Sequence, residues 1–216
     1  MRINEIKELT EKDVIASCRK ILVQCSEFVS DMRKAQMFLY RGVNYSIDAS
    51  PIFMANSPED RKPIGQTQRE QYILDMLLSF EGFESLRSNS VACSSTLSEI
   101  TRFGRPYIIF PINEFSFTWS SVINDIGSNM ELAKSLKIWD ASFTAKVRSN
   151  KEKLNAEEFI KQWNAPEFIK KWEFKNTDMI AALNSGNEIS IHGKYFAISR
   201  CYIDIVSNFF KVEDGD

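Results

Sequence analysis

The sequence predicts an α+β protein, and three observations carry that expectation. Apolar residues recur at helical spacing over residues 10–35 and again over 67–80. Short apolar or alternating runs bounded by Gly, Pro or Asn read as strands between and after those helices. The elements also come in mixed order: helix, strand, helix, strand, short helix, two strands, a helical stretch and two last strands. That order suits hairpins and helices packed on a mixed, mostly antiparallel sheet.

Each element has its own signal. Thr10 and Asp13 of "TEKD" form a capping pattern, and Val14, Ile15, Cys18, Ile21, Leu22, Cys25, Phe28, Val29 and Met32 then fall at the spacing of a long amphipathic helix. "MFLYRGV", Met37 to Val43, is an apolar strand ended by Gly42. Residues 44–66 hold Pro51, Pro58, Pro63 and Gly65 and read as a loop that moves. "TQREQYILDMLLSF" is a second helix, ended by Gly82. Val91 to Cys93 is a short strand, followed by the hydroxyls of Ser94, Ser95 and Thr96 and a short Ser- or Thr-capped helix to Phe103. "RPYIIFPI" and "EFSFTWS" are strands around a turn at Asn113, with Phe115, Phe117 and Trp119 on one face. Residues 128–183 are mainly helical and hold a short echo, "EFIKQW" and "EFIKKW", each copy burying a Phe, an Ile and a Trp. A helix stopped at Gly186, strands Glu188–Ile191 and Tyr195–Val206, and a frayed acidic tail complete the chain.

A chain of 216 residues, 44% apolar and 26% charged, suits one domain with a core that needs no staples. Residues 1–36 form its N-terminal helical segment, 37–127 and 184–212 its sheet core, and 128–183 a helical insertion. With 27 basic and 29 acidic residues, the net charge of −2 gives no strong nucleic-acid signal. Cys18, Cys25, Cys93 and Cys201 form no Cys-x-x-Cys pair, and His192 is the single histidine, so no metal site is expected. The cysteines read as reduced thiols of a cytoplasmic protein. No apolar run reaches the ~20 residues that span a membrane, and the charged N-terminus is unlike a secretory signal.

Three polar groups interrupt these elements. Arg41 closes an apolar strand beside Gly42; its planar fork suits a phosphate or carboxylate, and equally a structural ion pair. The hydroxyls of "ACSST" suit either a helix cap or a ligand, and Cys93 within that strand reads as core. In "EISIHGKYFAI", Ile189 and Ile191 share a face, which turns Glu188 and Ser190 to the other; a strand-end carboxylate is ordinarily just solvated.

In this order the three motifs resemble the Arg–Ser–Glu signature of ADP-ribosyltransferases. "LYRG" looks like the family's Arg motif, "ACSST" is similar to its aromatic-x-Ser-Thr-Ser motif, and "EISIHGKYFAI" resembles its Glu-led strand. The resemblance implies an ADP-ribosyltransferase-like split sheet, carrying the N-terminal helix and the helical insertion. NAD would be the substrate, Glu188 the catalytic carboxylate and Arg41 the pyrophosphate ligand. Ser94 would orient Glu188 or the ribose, with Tyr40, Gly42 and Ser95 completing the cofactor site. Tyr40 and Phe196 would pack near the nicotinamide. The chain departs from the pattern at Ala92, where an aromatic is expected, at Ser95 in place of Thr, and at Gly186. Arginine-directed members place a second carboxylate at that last position, so arginine is not the acceptor implied.

The stretch "FGRPYIIFPINEFSFTWS", within Arg87 to about Asp125, also resembles uncharacterised bacteriophage proteins. That resemblance implies transfer to a host protein or other host macromolecule, in the host cytoplasm or from the virion. A non-catalytic structural or host-interaction protein on the same fold, or a nucleotide-binding inhibitor of host defence, are its alternatives.

Overall fold

The structure, a computed structural model, describes residues 9–44, 50–149 and 165–212. It is α+β, with two four-stranded antiparallel sheets. Helix α1 (Glu11–Gln24) starts at the expected capping box, in which Thr10 Oγ1 accepts from the Asp13 amide and the Asp13 carboxylate accepts from the Thr10 amide. The single helix expected over 10–35 is in fact two, because α1 breaks at Cys25 (φ −120°) and α2 runs Ser26–Ala35. The turn at Asn113 satisfies the break. Its amide donates to Gln24 O at 2.8 Å, and its side-chain oxygen accepts from the Glu27 amide at 3.2 Å.

Strand β1 is Tyr40–Val43, shorter than the expected run from Met37. The loop expected at 44–66 contains a strand, β2 (Ile52–Asn56), lying along the edge of its sheet. Helix α3 (Gln68–Phe80) has its own capping box, Thr67 with Glu70, and Gly82 follows its end at φ +82°. Then come β3 (Val91–Cys93), α4 (Leu97–Thr101), β4 (Arg105–Pro111) and β5 (Ser116–Ser120). The hydroxyl cap expected for α4 is absent: the Thr96 side chain makes no cap bond, and Ser94 Oγ accepts from the Thr96 amide instead.

The insertion supplies α5 (Met130–Ser149), α6 (Ala165–Lys171), the unforeseen β6 (Phe174–Lys175) and α7 (Met179–Ser185), which stops at Gly186. "EFIKQW" lies outside the described residues; in "EFIKKW", Ile169 and Trp172 are buried and Phe168 is partly so. Trp139 is buried as well, and Trp163 lies outside the described residues. Strands β7 (Ile189–His192) and β8 (Lys194–Ser199) turn at Gly193. The last strand was expected to reach Val206 but ends at Ser199. A 3-10 turn and helix α8 (Ile203–Phe210) follow, burying Val206 and Phe210 on one face.

The strand orders are β1-β4-β8-β2 and β3-β7-β5-β6. A bridge between Tyr40 and Ser94, with amide-to-carbonyl bonds of 2.8 and 3.0 Å, joins β1 of one sheet to the end of β3 in the other. One apolar core draws on both sheets with α1, α2, α7 and α8; a second gathers α3, α5, α6, Ile123, Ile126 and Phe174. Alternation then divides the second sheet. Trp119, Ile189 and Ile191 enter the first core, while Thr118, Ser120, Ser190 and Glu188 form a buried polar layer. Residues 85–90 cover that layer: Thr118 Oγ1 donates to Ser85 O at 2.7 Å, and Ser85 Oγ to Ser190 O at 2.8 Å.

Candidate functional site

The seam between the sheets is where the three sequence motifs meet. Cys93 pairs with Ile189, so the antiparallel ladder brings Ser94 beside Glu188, while Ser94 also bridges Tyr40, the neighbour of Arg41. Sequence separation had hidden these contacts, and topology supplies them.

Glu188 is not a solvated strand end; it is buried, at 8% exposure. One carboxylate oxygen is ion-paired with Arg87, itself 3% exposed, and the other accepts from the Ile126 amide at 2.9 Å. Its own amide donates to Asn124 O at 2.8 Å. Both oxygens are therefore engaged, which offsets the cost of burying the charge.

Arg87 is held from the opposite side. The Asp75 carboxylate of α3 accepts from the amides of Arg87 and Ser88 at 2.7 and 3.1 Å. Burial pushes the Asp75 carboxyl above its usual value, against the pull of those bonds and of the Arg87 charge.

Arg41 is half-buried, and its Nη1 donates to the Tyr195 hydroxyl at 2.9 Å. Burial raises the Tyr195 hydroxyl pKa, which the Arg41 charge opposes. Arg61, from the loop between β2 and α3, turns its guanidinium toward the same place. Its pKa is lowered by burial first and then by Arg87 and Arg41, with Glu188 acting the other way. Burial pushes the Cys93 thiol up to about 12, so the thiol stays protonated and unreactive, as a core cysteine should.

The hydroxyl cluster serves the backbone. Ser94 Oγ donates to Gly186 O at 2.7 Å, Ser95 Oγ to Leu183 O at 2.5 Å, and Thr96 Oγ1 to Gly186 O at 3.3 Å. Ser94 thus orients the turn into Glu188, rather than its carboxylate. The Tyr40 ring is buried in the first core against Phe38, and Phe196 is half-buried on β8. Gly42 marks a close approach: a β-carbon there would lie 2.8 Å from Ile100 O and from the Phe103 side chain. Gly186 has φ +71°, and a β-carbon would meet Thr96 Oγ1 at 2.6 Å. The position of the missing second carboxylate is one where the backbone demands glycine.

Sequence reasoning missed Arg61, Arg87, Asp75, Tyr195 and the Ile126 amide. One signal was available: Asp75 lies on the apolar face of α3 among Ile73, Leu74, Leu77 and Leu78, where a carboxylate needs a partner. Arg87 in "SLRSNS" carries no such mark.

Among the described residues, no group of His, Cys, Asp or Glu is placed to hold a metal ion, and no helix is long and apolar enough to cross a membrane. Comparison of the chain with protein-family models, curated proteins and solved structures finds no match.

Proposed function

We propose that the seam binds NAD as a substrate and that the chain is an ADP-ribosyltransferase with an ADP-ribosyltransferase-like split sheet, acting on a host macromolecule. One observation carries the reading: the Arg41, Ser94 and Glu188 motifs, far apart in sequence, come together at one junction of two antiparallel sheets. The donor set suits the substrate, because guanidinium groups recognise a pyrophosphate by charge-assisted bonds. Breaking the nicotinamide–ribose bond builds positive charge on the ribose, and a fixed carboxylate stabilises that charge. In this reading Glu188 is that carboxylate, Arg41 binds the pyrophosphate, and Ser94 sets the approach of the strand that bears Glu188. Because Gly186 leaves no second acid, arginine is not the acceptor proposed. Nicotinamide release by the wild type, with Glu188→Gln reducing it at least ~100-fold while NAD still binds, is the expected result. Equal release by both proteins removes Glu188 from the chemistry.

A second reading rests on a different observation: both Glu188 oxygens are engaged by Arg87 and Ile126. A carboxylate so occupied is a structural one, as in a non-catalytic host-interaction protein on the same fold. Calorimetric titration separates the two, since absence of heat at millimolar NAD favours the non-catalytic protein.

A further inference from the structure

The polar cluster holds more donors than acceptors. Arg87 gives one nitrogen to Glu188, yet its Nε is buried with no hydrogen-bond partner. Nη1 of Arg61 is buried and unpartnered too. The backbones that carry both side chains are themselves held, while Arg87 Nε and Arg61 Nη1 lack acceptors. The Arg61 amide donates to Ser88 O at 2.6 Å, the Arg61 carbonyl accepts from Gln71 Nε2 at 2.7 Å, and Asp75 holds the Arg87 amide. The charges are Arg41, Arg61 and Arg87 against Glu188 and Asp75, a positive excess in a desolvated place. Glu188 is already spent on Arg87 and Ile126, and Asp75 on two amides. Burying charged N–H groups without acceptors is costly, and an anion supplying them relieves that cost.

We propose that Arg61 and Arg87 form an oxyanion site that takes a phosphoryl or pyrophosphoryl group. A phosphoryl group brings several acceptor oxygens and up to two charges, which suits two separate guanidiniums better than one more carboxylate does. Neither arginine belongs to the three sequence motifs. The site shares its seam with the nucleotide reading but needs only the unpartnered nitrogens of the two guanidiniums.

Inorganic pyrophosphate is the probe, titrated calorimetrically into the full chain and into three variants. Arg61→Gln, on a half-buried loop, is expected to weaken binding about tenfold or more, the worth of a hydrogen bond to a charged group. Glu188→Gln removes a facing negative charge and is expected to tighten binding several-fold. Lys62→Gln, an exposed neighbour, is expected to leave it unchanged. No binding by the wild type at millimolar pyrophosphate, or equal losses from Arg61→Gln and Lys62→Gln, overturns the site. A parallel NAD titration keeps the two ideas apart. Pyrophosphate bound without NAD, and weakened by Arg61→Gln, retains the oxyanion site and removes the nucleotide reading; NAD bound by a wild type that takes up no pyrophosphate removes the oxyanion site and retains the nucleotide.

Discussion

Glu188 and Arg87 are each tolerable inside the protein only because of the other. Both are buried, so deleting either leaves an uncompensated charge. Arg87→Met and Glu188→Leu should each lower the unfolding free energy by about 3–5 kcal/mol, while the double variant should recover most of the loss. Urea unfolding of the four proteins measures this as a coupling energy. Additive losses would mean that the two side chains act independently. Gly186 makes a second test at this scale. Gly186→Glu introduces an acid two residues before Glu188, but at φ +71° and against Thr96 Oγ1 it should cost ~1–3 kcal/mol. A thermal melt that matches wild type would show that the turn relaxes. At this scale the sequence was half legible. Glu188, Ser94 and Arg41 stand out because polar groups at apolar strand ends are conspicuous. Arg61 and Arg87 did not, because their meaning lies in partners 101 residues away for Arg87 and Glu188, or in the absence of partners.

Elements were legible where one period dominated. The capping box of Thr10 and Asp13 lies where the sequence predicts it, and Thr67 with Glu70 forms a second one at α3. Two elements escaped for opposite reasons. Strand β2 sits between prolines, and its order comes from pairing along β8, with Phe53 opposite Ala197 and Met54 opposite Phe196. Helix α8 continues an apolar run, and only its burial of Val206 and Phe210 shows that the period has changed. Helix α3 joins element to site through Asp75. Because burial raises its carboxyl pKa, the folded protein holds that proton more tightly than the unfolded chain does. Stability from this group is therefore greatest at acid pH and falls as pH rises through the raised value. The stability of wild type relative to Asp75→Asn should decline as pH rises above the ordinary carboxyl range in urea titrations. A rise instead would mean that Arg87 and the two amides outweigh burial.

In the whole molecule the candidate site lies where two sheets and two cores meet. The first core fixes Ser94 and the start of β7 from one side; the second, through α3, fixes Arg87 from the other. This arrangement was illegible in the chain, since no local pattern tells which sheet a strand joins or that residues 85–90 cover the polar face of β5 and β7. It also makes the site sensitive to packing far from it. Leu77 is fully buried in the second core, on the helix that carries Asp75. Leu77→Ala should cost ~2–5 kcal/mol. If the two cores open separately, native-state hydrogen exchange should lose more protection at the Arg87 and Ser88 amides, which Asp75 holds, than at the Ile109 amide, which donates to Leu39 O in the first core. Equal losses at all three would mean that both cores open only together, so that Arg87 is exposed no more readily than the sheet itself.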